Sequence, residues 1–174
     1  MTAPRFVDQL NEQIANEFAA HQQYVACAIH YDARTMPQMA AFFYAQALEE
    51  RDHAMMMVKF LLDTGAEVRI PGVEAPQTAF ADVVAPVVLA LAQEKRVTEQ
   101  VFALTKTARE EDDFAAEQFM QWFIKEQVEE IATMNDLLAV VTRSKDDVEA
   151  IEEYVRREQG GGTADPTAPS IAGA

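Results

Sequence analysis

FFYAQALEERDHAMMMVKFLL, residues 42–62, decides the fold. The run contains no glycine or proline, the residues that punctuate chains built of short strands, and it is long enough for many helical turns. Glu50 and His53 lie within it as an E-x-x-H pair, three residues apart and therefore on one helical face. Thr35 offers a side-chain cap at the start of this helix, and Pro37 suits its first turn, where an N–H would be unpaired anyway. Gly65 offers the left-handed residue that ends it after Thr64.

Outward from this helix the same pattern repeats. From Arg5 to about Tyr31, Phe6, Leu10, Ile14, Phe18, Val25 and Ile29 recur at spacings of four and seven, which predicts a first long helix. Residues 66–82, with Pro71, Gly72 and Pro76, break any helix, and their length suits a crossover better than a tight hairpin. Val87, Leu91, Val101 and Leu104 mark a third helix that starts near Pro86 and reaches about Glu111. Asp112 or Asp113 caps a fourth, which carries Phe114, Phe119, Phe123, Ile131, Met134 and Leu138 to about Arg143. A short fifth helix is expected over Asp146 to Arg157. The fold class is all-α: a four-helix bundle with one long crossover and a short C-terminal fifth helix. Residues 1–158 form the one domain, and 159–174, rich in Gly, Ala and Pro, are expected to be a disordered tail.

The chain has 174 residues, 49% of them hydrophobic, enough for a sizeable core. Its net charge of −15 repels the phosphate backbone of nucleic acid and favours cationic partners. Cys27, the single cysteine, excludes an internal disulfide and a cysteine-based zinc site. Neither an apolar leader nor a run long enough to span a bilayer is present, so the expected location is the cytoplasm, with no membrane partner.

Acid placed inside the apolar pattern carries the functional signal, because an unpaired buried carboxylate costs several kcal/mol or takes up a proton. Glu17 and Tyr24 share a face of the first helix, Glu50 and His53 sit on the second, Glu94 interrupts LALAQEKRV on the third, and Gln127 and Glu130 repeat the i, i+3 spacing on the fourth. Convergent carboxylates become tolerable when divalent ions neutralise them, and oxygen donors with one imidazole and no thiolate suit iron or manganese.

The runs NEQIANEF, LEERDHA, LAQEKRVT and EQFMQWFIKEQVEEIA, together with QQY around Tyr24, resemble bacterial non-haem ferritins from about Phe6 to Arg157. The resemblance implies a ferritin-like bundle, assembled as a homo-oligomeric, twenty-four-subunit hollow shell, that acts as a ferroxidase: Fe²⁺ is oxidised with O₂ and stored as a ferric mineral. It implies two irons per subunit. Glu17, Glu50 and His53 would hold the first, Glu94 and Glu130 the second, with Glu50 bridging, Gln127 beside the second and Tyr24 hydrogen-bonding behind the ligands. Glu49, Glu126 and Glu129 match a third family site, with a solvated helix face as their alternative role. Bacterioferritins carry a second E-x-x-H and a methionine haem ligand inside the first. Here Glu130 replaces the second histidine, and Arg51 and Asp52 fill the first motif, so no haem is expected.

Alternative readings are a di-iron or di-manganese oxidoreductase acting on peroxide or an organic substrate, and a structural or compartment-cargo bundle. The run Glu110-Glu111-Asp112-Asp113 suits either a route for iron into the shell or capping of the fourth helix. His21, His30, Met55, Met56, Met57 and Trp122 are assigned to packing and subunit contact.

Overall fold

The computed structural model describes residues 2–158 and 165–173. Five helices follow in order: α1 (Pro4–Asp32), α2 (Pro37–Asp63), α3 (Ala85–Glu110), α4 (Phe114–Arg143) and α5 (Val148–Glu158). No strand occurs among the described residues. α1 packs against α2 and α3 against α4 as the two pairs of the bundle, and α5 closes one end against α2 and α4.

The crossover between α2 and α3 has no regular structure, and polar side chains of α1 partner its backbone. Asn11 Nδ2 donates to the Glu67 carbonyl at 2.9 Å, and Gln23 exchanges two 2.9 Å bonds with the backbone of Gln77. His30 Nε2 donates to the Asp82 carbonyl at 3.0 Å, and Tyr31 Oη to that of Val83 at 2.7 Å. These bonds explain buried polar residues on α1, because a loop that crosses a bundle must find partners for its N–H and C=O groups. His30 also meets Tyr31 and Phe80 edge-on, a packing role as expected.

Some sequence expectations shift in detail. On α1, Phe6, Leu10 and Ile14 are buried, but Ile29 is 54% exposed. At about 100° per residue, Ile29 stands about 140° around the helix from Phe6, because repeated steps of four drift off one face. Tyr24, Ala28 and Tyr31 take over the buried stripe. Phe114, expected in the core of α4, is 74% exposed at its first turn.

Thr35 does not cap α2. It adopts a left-handed backbone (φ 59°) in the turn after α1, and the helix N-cap is Met36, without a side-chain bond. Glu152 of α5 supplies the acceptors instead, for the N–H groups of Gln38 and Met39. Gly65 (φ 68°) ends the α2 segment as expected, and Asp113 caps α4 through the Ala116 N–H at 3.0 Å.

The buried apolar residues form two clusters. One gathers Tyr31, Phe43, Val87, Leu137 and Ile151 near α5, and the other gathers Phe6, Leu10, Met57, Leu61, Met120 and Phe123 toward the opposite end. Glu17, Glu50, His53, Glu94, Gln127 and Glu130 are buried as well.

Of the stretch 159–174, read from its composition as a disordered tail, residues 165–173 are described and touch the bundle; the rest lies outside the described residues. Asp165 accepts from Lys125 Nζ (2.8 Å) and Trp122 Nε1 (3.2 Å), and Ala172 N–H donates to the Met55 carbonyl at 3.2 Å. Ala168, Ile171 and Ala172 cover the second apolar cluster. A composition poor in large apolar residues conceals this docking, because ion pairing and one isoleucine carry it.

Candidate metal centre

Glu17 from α1 and Glu50 and His53 from α2 meet in the bundle interior, exposed by only 1%, 1% and 4%. One ligand atom of each lies within 4.8 Å of the other two. His53 Nδ1 is 3.5 Å from Glu50 Oε2 and 4.0 Å from Glu17 Oε2. Those same two oxygens are buried without a hydrogen-bond partner. Burial raises the pKa of both carboxyls well above the ordinary carboxylate range. The charge of Glu50 adds to the rise at Glu17, and that of Glu94 to the rise at Glu50. Unpaired oxygens beside an imidazole nitrogen form a donor set that a divalent cation fits, since the cation supplies the missing charge.

Trp122 and Phe123 meet the His53 ring edge-on, at centroid distances of 5.6 and 5.7 Å. Because both lie on α4 next to His53 of α2, packing fixes the ring plane before any ligand arrives.

Glu94 and Glu130 are also buried, at 0% and 5% exposure, yet neither joins a three-ligand group among the described residues. Glu94 Oε1 accepts from the Tyr24 hydroxyl, and Glu94 Oε2 lies 3.4 Å from Gln127 Nε2. Thr98 Oγ1 lies 2.8 Å from Gln127 Oε1, which turns the amide nitrogen toward Glu94. Burial raises the Glu94 pKa, and the Tyr24 hydrogen bond opposes the rise. Burial also raises Glu130, helped by the charge of Glu94. Tyr24 is itself raised well above 10, by burial and then by Glu94, so it remains a phenol and a donor.

Glu49, Glu126 and Glu129 border a cavity of about 800 Å³ whose wall also includes His53, Glu130 and Asp165. Gln46 Nε2 donates to Glu49, and Lys125 Nζ lies 3.8 Å from Glu129. These carboxylates therefore stand outside the buried cluster, around a cavity that His53 and Glu130 also border. His21 is not part of it: its Nδ1 lies 2.6 Å from the Ala47 carbonyl and links α1 to α2. Cys27 is buried, with its thiol pushed up to about 12, and is inert packing. In the acidic run, Arg5 pairs with Glu110 at 3.0 Å and Glu111 at 3.7 Å, while Asp113 holds the Ala3 N–H as well as its cap.

Three polar residues of the site escape the sequence reading: Gln13, Gln46 and Thr98. Each stands four residues from a candidate ligand, before Glu17, before Glu50 and after Glu94 respectively, so one helical turn from each acid was the signal that could have found them.

Residues 7–144 match the family described as the ferritin-like domain. The chain belongs to the ferritin family. Over 169 residues it is 48% identical to Ferritin BfrB of Mycolicibacterium smegmatis, covering 97% of this chain and 93% of that one. It is 33% identical over 165 residues to the bacterial non-heme ferritin of Staphylococcus aureus, covering 95% and 99%. Among solved structures, an open pore ferritin from the archaeon Archaeoglobus fulgidus superposes with a TM-score of 0.86 at 28% identity, over 91% of this chain and all of that one. In this ferritin the polar layer is thus framed by a fold shared along almost the whole chain, and no described helix is long and apolar enough to cross a membrane.

Proposed function

We propose that this ferritin stores iron as a cytoplasmic, twenty-four-subunit shell and is a ferroxidase that oxidises Fe²⁺ with O₂ before mineral forms inside. The observation that carries the reading is the pair of buried, unpartnered oxygens, Glu17 Oε2 and Glu50 Oε2, within 4.0 and 3.5 Å of His53 Nδ1. Ferrous iron is the substrate. Glu17, Glu50 and His53 bind the first ion, and Glu94 and Glu130 the second, with Glu50 between them and Gln127 beside Glu94. Two ions held side by side each give one electron to O₂, so neither passes beyond the ferric state. The added positive charge of the ferric product is matched by the carboxylates.

Tyr24 and Gln127 keep Glu94 oriented while the metal changes charge. Oxidised iron then leaves by way of the carboxylates of Glu49, Glu126 and Glu129, which form a weaker third site in the adjoining cavity. Oxygen ligands suit a site that must release its product.

Iron uptake tests the proposal. Measured Fe²⁺ is added to the aerobic metal-free protein, with ferric absorbance and particle size followed on a native sizing column beside the Glu50→Ala variant. A large shell that retains far more than two irons per chain, with slow oxidation in the variant, is the expected result. Uptake that stops at two per chain in a small oligomer would instead mark a di-metal oxidoreductase.

A further inference from the structure

Gln13 lies one turn before Glu17 on α1 and is 2% exposed. Its amide makes three hydrogen bonds. Nε2 donates to Glu17 Oε1 at 2.8 Å and to Gln100 Oε1 of α3 at 3.2 Å, while its own Oε1 accepts from Asn16 Nδ2 at 3.2 Å. The bond from Gln13 Nε2 to Glu17 and the bond from Asn16 to Gln13 Oε1 agree on which end of the amide faces the acid. Asn16 and Gln100 continue outward to border a separate polar pocket of about 210 Å³ with Gln23, Gln93 and Arg96. The amide chain is therefore anchored on two helices and ends at Glu17.

One carboxylate oxygen is thereby held and the other left free. Oε1 of Glu17 carries the Gln13 bond, while Oε2 has no partner and faces His53 Nδ1. We propose that Gln13 is a positioning residue that makes Glu17 a one-oxygen ligand, offering the first metal ion Oε2 alone. The inference rests on the reading of Glu17, Glu50 and His53 as that ion's site. Three protein atoms then bind the ion, and the remaining positions stay open to water and O₂, which an oxidising site needs and a closed cage lacks. Without Gln13 the carboxylate is free to rotate and chelate with both oxygens, which raises the ion's coordination number.

Cobalt(II) replaces iron as the probe, because its visible d–d absorption weakens as its coordination number rises and it does not react with O₂ at such a site. The full-length metal-free protein and Gln13→Met, which keeps the side chain's length without its amide, are titrated with Co²⁺. In Gln13→Met the first equivalent is expected to show a weaker band per bound ion and an affinity lower by about 10- to 100-fold, the range for loss of a hydrogen bond behind a metal ligand. An unchanged band overturns the inference even where affinity falls, since loosened packing alone lowers affinity. If Gln13→Met does not assemble, Gln13→Asn, one methylene too short to reach Glu17, is read against the same two outcomes. Absence of saturable Co²⁺ binding in the unsubstituted protein removes the metal-site reading itself, whereas a band there that Gln13→Met reproduces removes only the role of Gln13.

Discussion

Tyr24 of α1 donates its phenolic hydrogen to Glu94 of α3, and so joins two helices through the acid assigned to the second metal ion. Both side chains are fully buried, and no water can replace the phenol without a cavity. Tyr24→Phe leaves Glu94 Oε1 without a partner while keeping the ring packed on Phe43. Initial ferrous oxidation is expected to slow about tenfold, the low end of the effect of losing such a partner. Stopped-flow absorbance at two Fe²⁺ per chain measures it, and a rate equal to that of the unsubstituted protein would assign Tyr24 to packing alone.

Burial first, and then the charges of Glu94 and Glu130, raise the pKa of Glu50, so an ionised Glu50 opposes folding when no metal is bound. Glu50→Gln keeps the shape and removes the charge. The metal-free variant is expected to be more stable than the parent at pH 8 by at least about 1 kcal/mol. At the same time it should lose rapid iron oxidation. Denaturant midpoints of the two metal-free proteins give the comparison, and a less stable variant would show that the carboxylate is already compensated.

The pH dependence of the metal-free protein follows from the same four acids. Glu17, Glu50, Glu94 and Glu130 all titrate above the ordinary value of 4.5 when folded, with burial as the first cause. As pH rises above about 4.5, the unfolded chain releases these protons while the folded chain retains them, so the folded state holds more protons and stability falls with pH. The fall continues until the folded groups ionise. Bound divalent metal reverses the trend, because it stabilises the ionised forms. Thermal midpoints between pH 5 and 8, with and without Co²⁺, should diverge; parallel curves would contradict metal binding at these acids.

Glu152 holds the first turn of α2 from a distance of more than a hundred residues in sequence, with 2.8 and 2.9 Å bonds to the N–H groups of Gln38 and Met39. Glu152→Ala is expected to cost about 0.5–2 kcal/mol, the usual range for losing an N-terminal cap. Because Glu152 lies on α5, away from the polar layer, Co²⁺ stoichiometry should stay unchanged. A urea midpoint unmoved by the substitution would mean that water caps the helix equally well.

Trp122 is the single tryptophan and bonds Asp165 at 3.2 Å, so its fluorescence reports the docking of the C-terminal segment. In Asp165→Asn, the amide cannot match the ion pair with Lys125, and in a chain ending at residue 164 the whole contact is gone. Trp122 emission is expected to shift to longer wavelength as water reaches the ring, more in the shortened chain than in Asp165→Asn. Identical spectra in all three proteins would place the segment away from Trp122 in solution.

The sequence by itself determined the helices and the acids. Long runs free of glycine and proline, Pro37 and Pro86 at helix starts and Gly65 after a helix end are local signals, and each acts within a turn or two of its own position. Glu17, Glu50, His53, Glu94 and Glu130 stood out because charge inside an apolar stripe violates the pattern without needing a partner to be known. Tertiary structure alone decided who partners whom. Glu152, not Thr35, caps α2; Asn11, Gln23 and His30 serve the crossover; Gln13 holds Glu17; and Asp165 bonds Lys125 of α4. A hydrogen bond depends on where two atoms meet in space. Between residues on different helices, only the packing of the bundle fixes that meeting, and the sequence pattern of each helix carries no record of it.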